Sequence, residues 1–318
     1  MTSIVIPAHN EGRVIGRLLD ALLADAPAAP ADGADIVVVC NGCTDDTARV
    51  AAARGARVRV VEIPTPSKHQ ALRVGDEHAR GFPRLYVDAD VVVGAADVRA
   101  LAGALAGSPD LLAAAPGRDI PLAGCAWPVR AYYRVWQRLP AVREGLFGRG
   151  VIAVSESGHA RIAALPPLMA DDLAASLAFG PAERRVVEAA RVVVHPPRTW
   201  SDLVKRRIRA ATSSAEVERF QAAQGAGAPS GSPATRAAAA GPTGPIGSAA
   251  PSAPAAPSAP SARTSTADLR ALLRSRPQLL PGVVVFVVAA FAARRGARKA
   301  IRTGDFSTWL RDESSRQG

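Results

Sequence analysis

Cysteine is scarce in this chain: three residues in 318 (Cys40, Cys43 and Cys125), too few for a disulfide framework and an odd number besides. Aromatic residues make up only 4% of the chain, and no RNA- or DNA-binding motif accompanies the basic residues, so nucleic acid is not an expected partner. A basic leader followed by an apolar stretch and a small-residue cleavage site is missing at the start, where Met1 runs almost at once into Ser3-Ile4-Val5-Ile6-Pro7; no secretory signal is expected, and a cytoplasmic setting is. Long apolar runs are missing too. The one candidate, 279–293, is interrupted by Pro281 and Gly282. As a helix it would rise about 22 Å, short of the ~30 Å hydrocarbon core of a bilayer. Acidic residues are sparse in the rear of the chain. Residues 1–182 hold 18 basic and 19 acidic side chains, a net of −1, whereas 183–318 hold 21 basic and 9 acidic, a net of +12. Such asymmetry points to an anionic partner for the rear half, either a membrane surface or a polyphosphate ligand.

The apolar fraction, 48%, is enough for a sizeable core. Residues 222–265 stand apart: forty of the 44 are Ala, Gly, Pro, Ser or Thr, and eight are Pro. With almost nothing large to bury, this stretch cannot offset its ordering entropy and reads as a disordered linker. It separates a folded unit, 1–221, from a basic, partly apolar helical tail, 266–318. The front half alternates strand and helix. Strand patterns at 3–6, 35–40, 57–63 and 85–87 are interleaved with helical patterns at 13–24, 45–54 and 67–79, with Thr44 and Ser67 as N-cap candidates. This alternation predicts an α/β domain with a mainly parallel central sheet, whose ligands sit at the carboxyl ends of the strands.

The chemistry-bearing residues fall at those ends. Asp88 and Asp90 flank Ala89 after the strand 85–87. Residues i and i+2 of an extended strand share a side, so both carboxylates can meet one divalent cation, or one can take metal and the other a ribose hydroxyl. Asn10 and Glu11 occupy the turn after the first strand, where they can hold a nucleotide or simply open the helix. The second strand ends in Cys40-Asn41-Gly42-Cys43-Thr44-Asp45-Asp46-Thr47. Its Cys-x-x-Cys spacing lacks a second Cys/His pair, which argues against zinc or redox chemistry.

Together these turns resemble the front half of an inverting family 2 glycosyltransferase of bacterial type, with the GT-A fold. The resemblance rests on 3–11, 41–47, Lys68-His69-Gln70-Ala71-Leu72-Arg73-Val74-Gly75, Asp88-Ala89-Asp90, Gly148-Arg149-Gly150 and Met169-Ala170-Asp171-Asp172-Leu173, in that order, and covers roughly 1–210. It implies a GT-A-like, Rossmann-related domain that binds a nucleoside-diphosphate sugar donor with Mn²⁺ or Mg²⁺ and transfers the sugar to an acceptor hydroxyl. By the same resemblance Pro7, Ala8 and Glu11 would line the nucleotide pocket. Asn41 stands where the family commonly has an Asp that contacts the base, which leaves the base open. Lys68 would lie near the nucleotide, and Arg73 replaces a frequent Asn. Asp88 and Asp90 would be the metal-diphosphate motif, with Asp90 the direct ligand. Asp172 would be the general base, and His195, after the strand 192–194, an added metal ligand. Asp172 could otherwise only open a helix, and His195 could be structural.

The basic run Lys205-Arg206-Arg207-Ile208-Arg209 could meet a diphosphate or a membrane, or be a solvated helix face. The tail pairs its apolar run with Arg294, Arg295, Arg298 and Lys299, a composition suited to an anionic membrane surface at the inner face of the plasma membrane. The competing expectation is that the run packs on protein. Two rival functions are a sugar-nucleotide pyrophosphorylase, which needs a Gly-rich, Arg-containing loop that 7–13 lacks, and a non-catalytic sugar-nucleotide-binding or scaffold protein.

Overall fold

A computed structural model describes residues 1–24, 34–165, 171–226 and 264–303. In chain order its elements are β1 Ser3–Ala8, α1 Ile15–Leu23, β2 Asp35–Asn41, α2 Thr47–Ala52, β3 Val58–Ile63, α3 Lys68–His78, β4 Arg84–Val87, β5 Val91–Val92 and α4 Ala95–Ala106. There follow β6 Ala113–Asp119, α5 Trp127–Trp136, α6 Pro140–Glu144, β7 Val151–Val154, α7 Glu156–Ala163, α8 Asp171–Leu177, β8 Arg184–Val194, α9 Trp200–Ala226, α10 Thr266–Ser275 and α11 Leu280–Thr303.

The strands among the described residues form one sheet in the order β3-β2-β1-β4-β7-β6-β8-β5. Its first four are parallel, β7 joins antiparallel to β4 and β6, β6 pairs parallel with β8, and β5 closes the far edge antiparallel to β8. The α/β architecture is the one the strand-helix alternation predicts. Both faces of β2 are covered, which is why it reads as an unbroken apolar run. Ile36, Val38 and Cys40 join the core that holds Ile15, Leu18 and Leu19 of α1, and Val37 and Val39 meet Ala71 of α3 on the other side. Helix α3 crosses β1 so closely that a side chain at Gly75 would overlap Val5.

Ser67 caps α3 as predicted, its hydroxyl accepting from the Gln70 N–H at 3.2 Å. Thr44 does not cap α2, which starts later, behind Asp46. The Thr44 N–H is instead taken by Asn10 Oδ1 at 2.7 Å. Strand β8 is far longer than the pattern at 192–194 indicates, because its first part carries charges on both sides.

Most of the expected linker lies outside the described residues. At its front α9 continues to Ala226, and at its rear Ser265 and Asp268 form a capping box that starts α10. The tail departs from the sequence expectation in two respects. Helix α11 has 24 residues, about 36 Å at 1.5 Å per residue, because the Ala/Arg/Lys segment after the apolar run continues the helix. The helical stretch Pro277–Arg298, a 3-10 turn at 277–279 followed by most of α11, is long and apolar enough to cross a membrane by length and composition. The tail is also not held apart from the folded unit. Val283, Phe286 and Ala289 share a core with Val129, Tyr132, Tyr133 and Leu203, and Phe286 stacks on Tyr132 at 5.2 Å between ring centroids. Gly282 lets the two backbones approach, since a Cβ there would lie 3.1 Å from the Ala131 carbonyl oxygen. Burying the Phe286 ring alone is worth about 1.5–3 kcal/mol. The apolar stretch therefore packs on the domain with one face, while Leu280, Val284, Val287, Val288 and Phe291 remain exposed on the other.

Candidate functional site

The turns after β1 and β2 are tied to each other by side chains. The Asn41 amide nitrogen donates to the Ala8 carbonyl at 2.8 Å, and His9 Nδ1 donates to the Asn41 carbonyl at 2.6 Å. The Glu11 N–H donates to Thr47 Oγ1 at 2.8 Å, and the Gly12 N–H to Asp45 Oδ2 at 3.1 Å. Asn10 adopts φ 52°, a left-handed conformation that asparagine tolerates, which aims its side chain at the Thr44 turn. Asn41 and Glu11 are both buried, and Pro7 and Ala8 are the last residues of β1. Asn41 thus spends its amide nitrogen on the fold. Cys40 is buried, and burial, with Cys43 adding to it, pushes its thiol up to about 12; both cysteines are free. A thiol held protonated suits neither metal nor redox chemistry.

Asp88 follows β4, and Lys68, the first residue of α3, reaches it with Nζ 2.7 Å from Oδ1. The Asp88 N–H donates to the Gly150 carbonyl at 2.7 Å. Gly150 has φ 65°, and a side chain there would crowd Asp88 and strike Val91. The loop that delivers Gly150 is held by Arg149, a buried guanidinium donating to the carbonyls of Gly145, Pro116 and Arg143 at 3.0, 2.9 and 2.8 Å. Arg149 is thereby a structural clamp, its pKa brought down to about 10 by burial.

Asp90 precedes β5 and His195 follows β8. Those strands are antiparallel with Val91 opposite Val194, so continuing the register by one residue sets Asp90 opposite His195. Burial holds the imidazole pKa below its ordinary value; Arg17 and Arg198 push the same way and Asp90 opposes them. A neutral imidazole is the form that ligates metal. Among the described residues no group of three or more His, Cys, Asp or Glu side chains could hold a metal ion. The sheet edge therefore sets only Asp90 and His195 in register, two groups that could meet a cation only together with further oxygen ligands. Arg17 and Arg198 escaped sequence reasoning, because only the fold brings α1 and the segment after β8 to the same edge.

Asp171 and Asp172 open α8, but their side chains lie outside the described residues. Ala174 and Ala175 of the same helix line a cavity of about 550 Å³ that also includes Pro7, Lys68, Asp88 and Gly150. The basic run on α9 is largely engaged. Lys205 pairs with Asp202 at 3.1 Å, Arg206 donates to the His195 carbonyl at 3.2 Å, Arg207 lies over the Tyr132 ring, and Ile208 packs against Gly296 of α11.

The α/β fold thus sets an acidic pair, Asp88 and Asp90, between β4 and β5. Residues 3–149 match the family model described as Glycosyl transferase family 2. An uncharacterized glycosyltransferase of Mycobacterium tuberculosis is 39% identical over 126 residues, 40% of this chain and 52% of that protein. The chain thus spans about half the length of the curated relatives it matches first. The 4,4'-diaponeurosporenoate glycosyltransferase of Staphylococcus aureus is 38% identical over 93 residues, 28% of this chain and 24% of that protein. A mannosyltransferase from Pyrobaculum calidifontis, solved in complex with GDP-Man and Mn²⁺, has a TM-score of 0.55 at 17% identity, covering 99% of this chain and 84% of that one. That likeness supports the GT-A-like fold.

Proposed function

We propose that this protein transfers a sugar from a nucleoside-diphosphate sugar to an acceptor hydroxyl, with inversion and with a divalent metal. The observation that carries the reading is the strand-edge pair, with Asp88 answered by Lys68 and Asp90 set opposite His195. Pro7, Ala8, Glu11 and Asn41 border the nucleotide, and Lys68 lies at the same edge. Asp90 and His195, assisted by Asp88, would hold the cation; an imidazole in the set favours Mn²⁺ over Mg²⁺. When bound, such a cation offsets the charge that develops on the leaving diphosphate. Asp172 takes the proton from the acceptor hydroxyl as that oxygen attacks the anomeric carbon, and the diphosphate leaves from the opposite face. The test is a panel of nucleoside-diphosphate sugars incubated with the full chain, with and without Mn²⁺. Release of nucleoside diphosphate should depend on metal and on one donor. If no donor binds or turns over, the non-catalytic scaffold reading stands in its place.

We further propose that residues 1–221 form the transferase unit, 222–265 a tether, and 266–318 a tail that seats the protein on the inner face of the plasma membrane. The exposed face of α11 supports this. Leu280, Val284, Val287 and Phe291 recur at helical spacing, and Arg294, Arg295 and Arg298 continue the same side with their side chains exposed. Full-length protein should sediment with mixed phosphatidylcholine and phosphatidylglycerol vesicles but poorly with phosphatidylcholine alone. At about 1 kcal/mol per basic residue, R294A/R295A/R298A should weaken that binding roughly 100-fold. Equal binding by the triple variant would remove the arginines from the interaction.

A further inference from the structure

The cavity beside Asp88 is a groove over the sheet whose exposed lining is mainly apolar, with His69, Arg73 and Glu77 of α3 also on its border. Its floor is Tyr86 of β4 and Ile152 of β7, which face each other across the two strands. Leu72 of α3 forms one wall; Ile162 of α7 with Ala174 and Ala175 of α8 form the other. Two alanines stand where larger side chains would close the space. At about 550 Å³ it falls within the roughly 300–1,000 Å³ range of pockets that take small molecules. An apolar void of this size forfeits the contacts that filling would supply, so its walls gain when a ligand occupies it.

The two ends differ. At the inner end the polar groups satisfy one another: the Tyr86 hydroxyl lies 2.9 Å from Asp76 Oδ1 and 2.8 Å from His159 Nδ1, and Asp76 pairs with Arg84 at 2.9 Å. That end therefore asks little of a ligand beyond apolar contact. At the mouth stand Lys68, Asp88 and Gly150, on the edge where the donor is proposed to bind.

We propose that this groove receives the apolar body of the acceptor, an amphiphile whose hydroxyl lies at the mouth and whose chain or ring system runs down the sheet face. The proposal rests on the transferase reading of the site. The donor accounts for the part of the cavity lined by Pro7, Lys68 and Asp88 but not for its apolar floor and walls, because its diphosphate, ribose and sugar are polar, and neither Asn41 nor Glu11 lines the cavity. The acceptor is the remaining substrate, and the walls select one with an apolar body.

The experiment titrates hexanol, octanol and decanol into the full chain by calorimetry, alongside L72W, which fills the groove from one wall, and I162W, which fills it from the other. Burial of each methylene should tighten binding about fourfold, the equivalent of ~0.8 kcal/mol. Either tryptophan should weaken octanol binding at least about tenfold. Mn²⁺-dependent donor binding by the same variants checks that the strand edge is intact, and I162W decides if L72W fails that check. Affinity independent of chain length, wild-type octanol binding in both variants, or displacement of octanol by free nucleoside diphosphate each overturns the proposal. Chain-length-dependent binding blocked by tryptophan, in a protein that turns over no donor, keeps the apolar site and removes the transferase reading instead.

Discussion

An Asp90→Ala chain should lose metal-dependent donor binding by at least about 100-fold, roughly 3 kcal/mol. The two strand-edge carboxylates are not equivalent. Asp88 already lies 2.7 Å from the Lys68 ammonium, and it accompanies the Gly150 turn through its own N–H. Asp90 sits instead at the β5 end of the sheet, in register with His195. A cation held by Asp90 and His195 would lose one of those two donors when Asp90 is truncated, whereas Asp88→Ala removes a carboxylate whose charge is already answered by Lys68. The Asp88 variant should therefore be the milder of the two. Calorimetric titration of donor, with Mn²⁺ and with chelator, reads the difference. Donor affinity that is unchanged with metal in Asp90→Ala would remove Asp90 as ligand. His195→Ala should fall between the two variants, and its loss should appear only when metal is present.

Asp172→Asn should bind donor within about threefold of the parent chain yet lose transfer by about a thousandfold, inside the 10²–10⁴ range for a missing general base. The amide preserves size and some hydrogen bonding but cannot accept the acceptor proton. The argument for Asp172 is its position: α8 begins with Asp171 and Asp172 and then turns Ala174 and Ala175 into the groove that reaches Asp88. Asp171→Asn is the matched control, with the same charge change one residue away. Near-normal turnover by Asp172→Asn, or equal losses in both variants, would exclude a base specifically at 172. Single-turnover measurement at saturating donor separates the chemical step from binding.

Much of the front half is legible because local pattern and burial coincide there. The apolar run of β2 reads directly as a strand covered on both faces, and Ser67 caps α3 because the hydroxyl and its N–H partner are three residues apart. Asp88 and Asp90 could be picked out from their place after a strand. Contacts between segments distant in sequence are what pattern reasoning missed. Thr44 loses its capping role to bonds that its N–H and hydroxyl donate to Asn10 Oδ1, 34 residues earlier. The pairing of Asp90 with His195 depends on two strands more than ninety residues apart becoming neighbours at the sheet edge. Arg149 looks like part of a glycine motif and is a clamp on four carbonyls, those of Gly145, Pro116, Val142 and Arg143.

The charge asymmetry shows the same division. The sequence alone determined that acidic residues would be sparse in the rear, that an anionic partner would suit it, and that its apolar run would be helical. Those are consequences of composition and 3.6-residue periodicity, which need no neighbour. Only the tertiary structure decided how the tail is used. Packing of Val283, Phe286 and Ala289 on α5 and α9 removes one face of α11 from solvent, and so selects which apolar and arginine side chains stay exposed. Arginines of α9 are likewise drawn into local contacts, Arg206 with the His195 carbonyl and Arg207 over the Tyr132 ring. The cause in both cases is that burial of one helix face depends on the surface it meets, and that surface is assembled from distant parts of the chain.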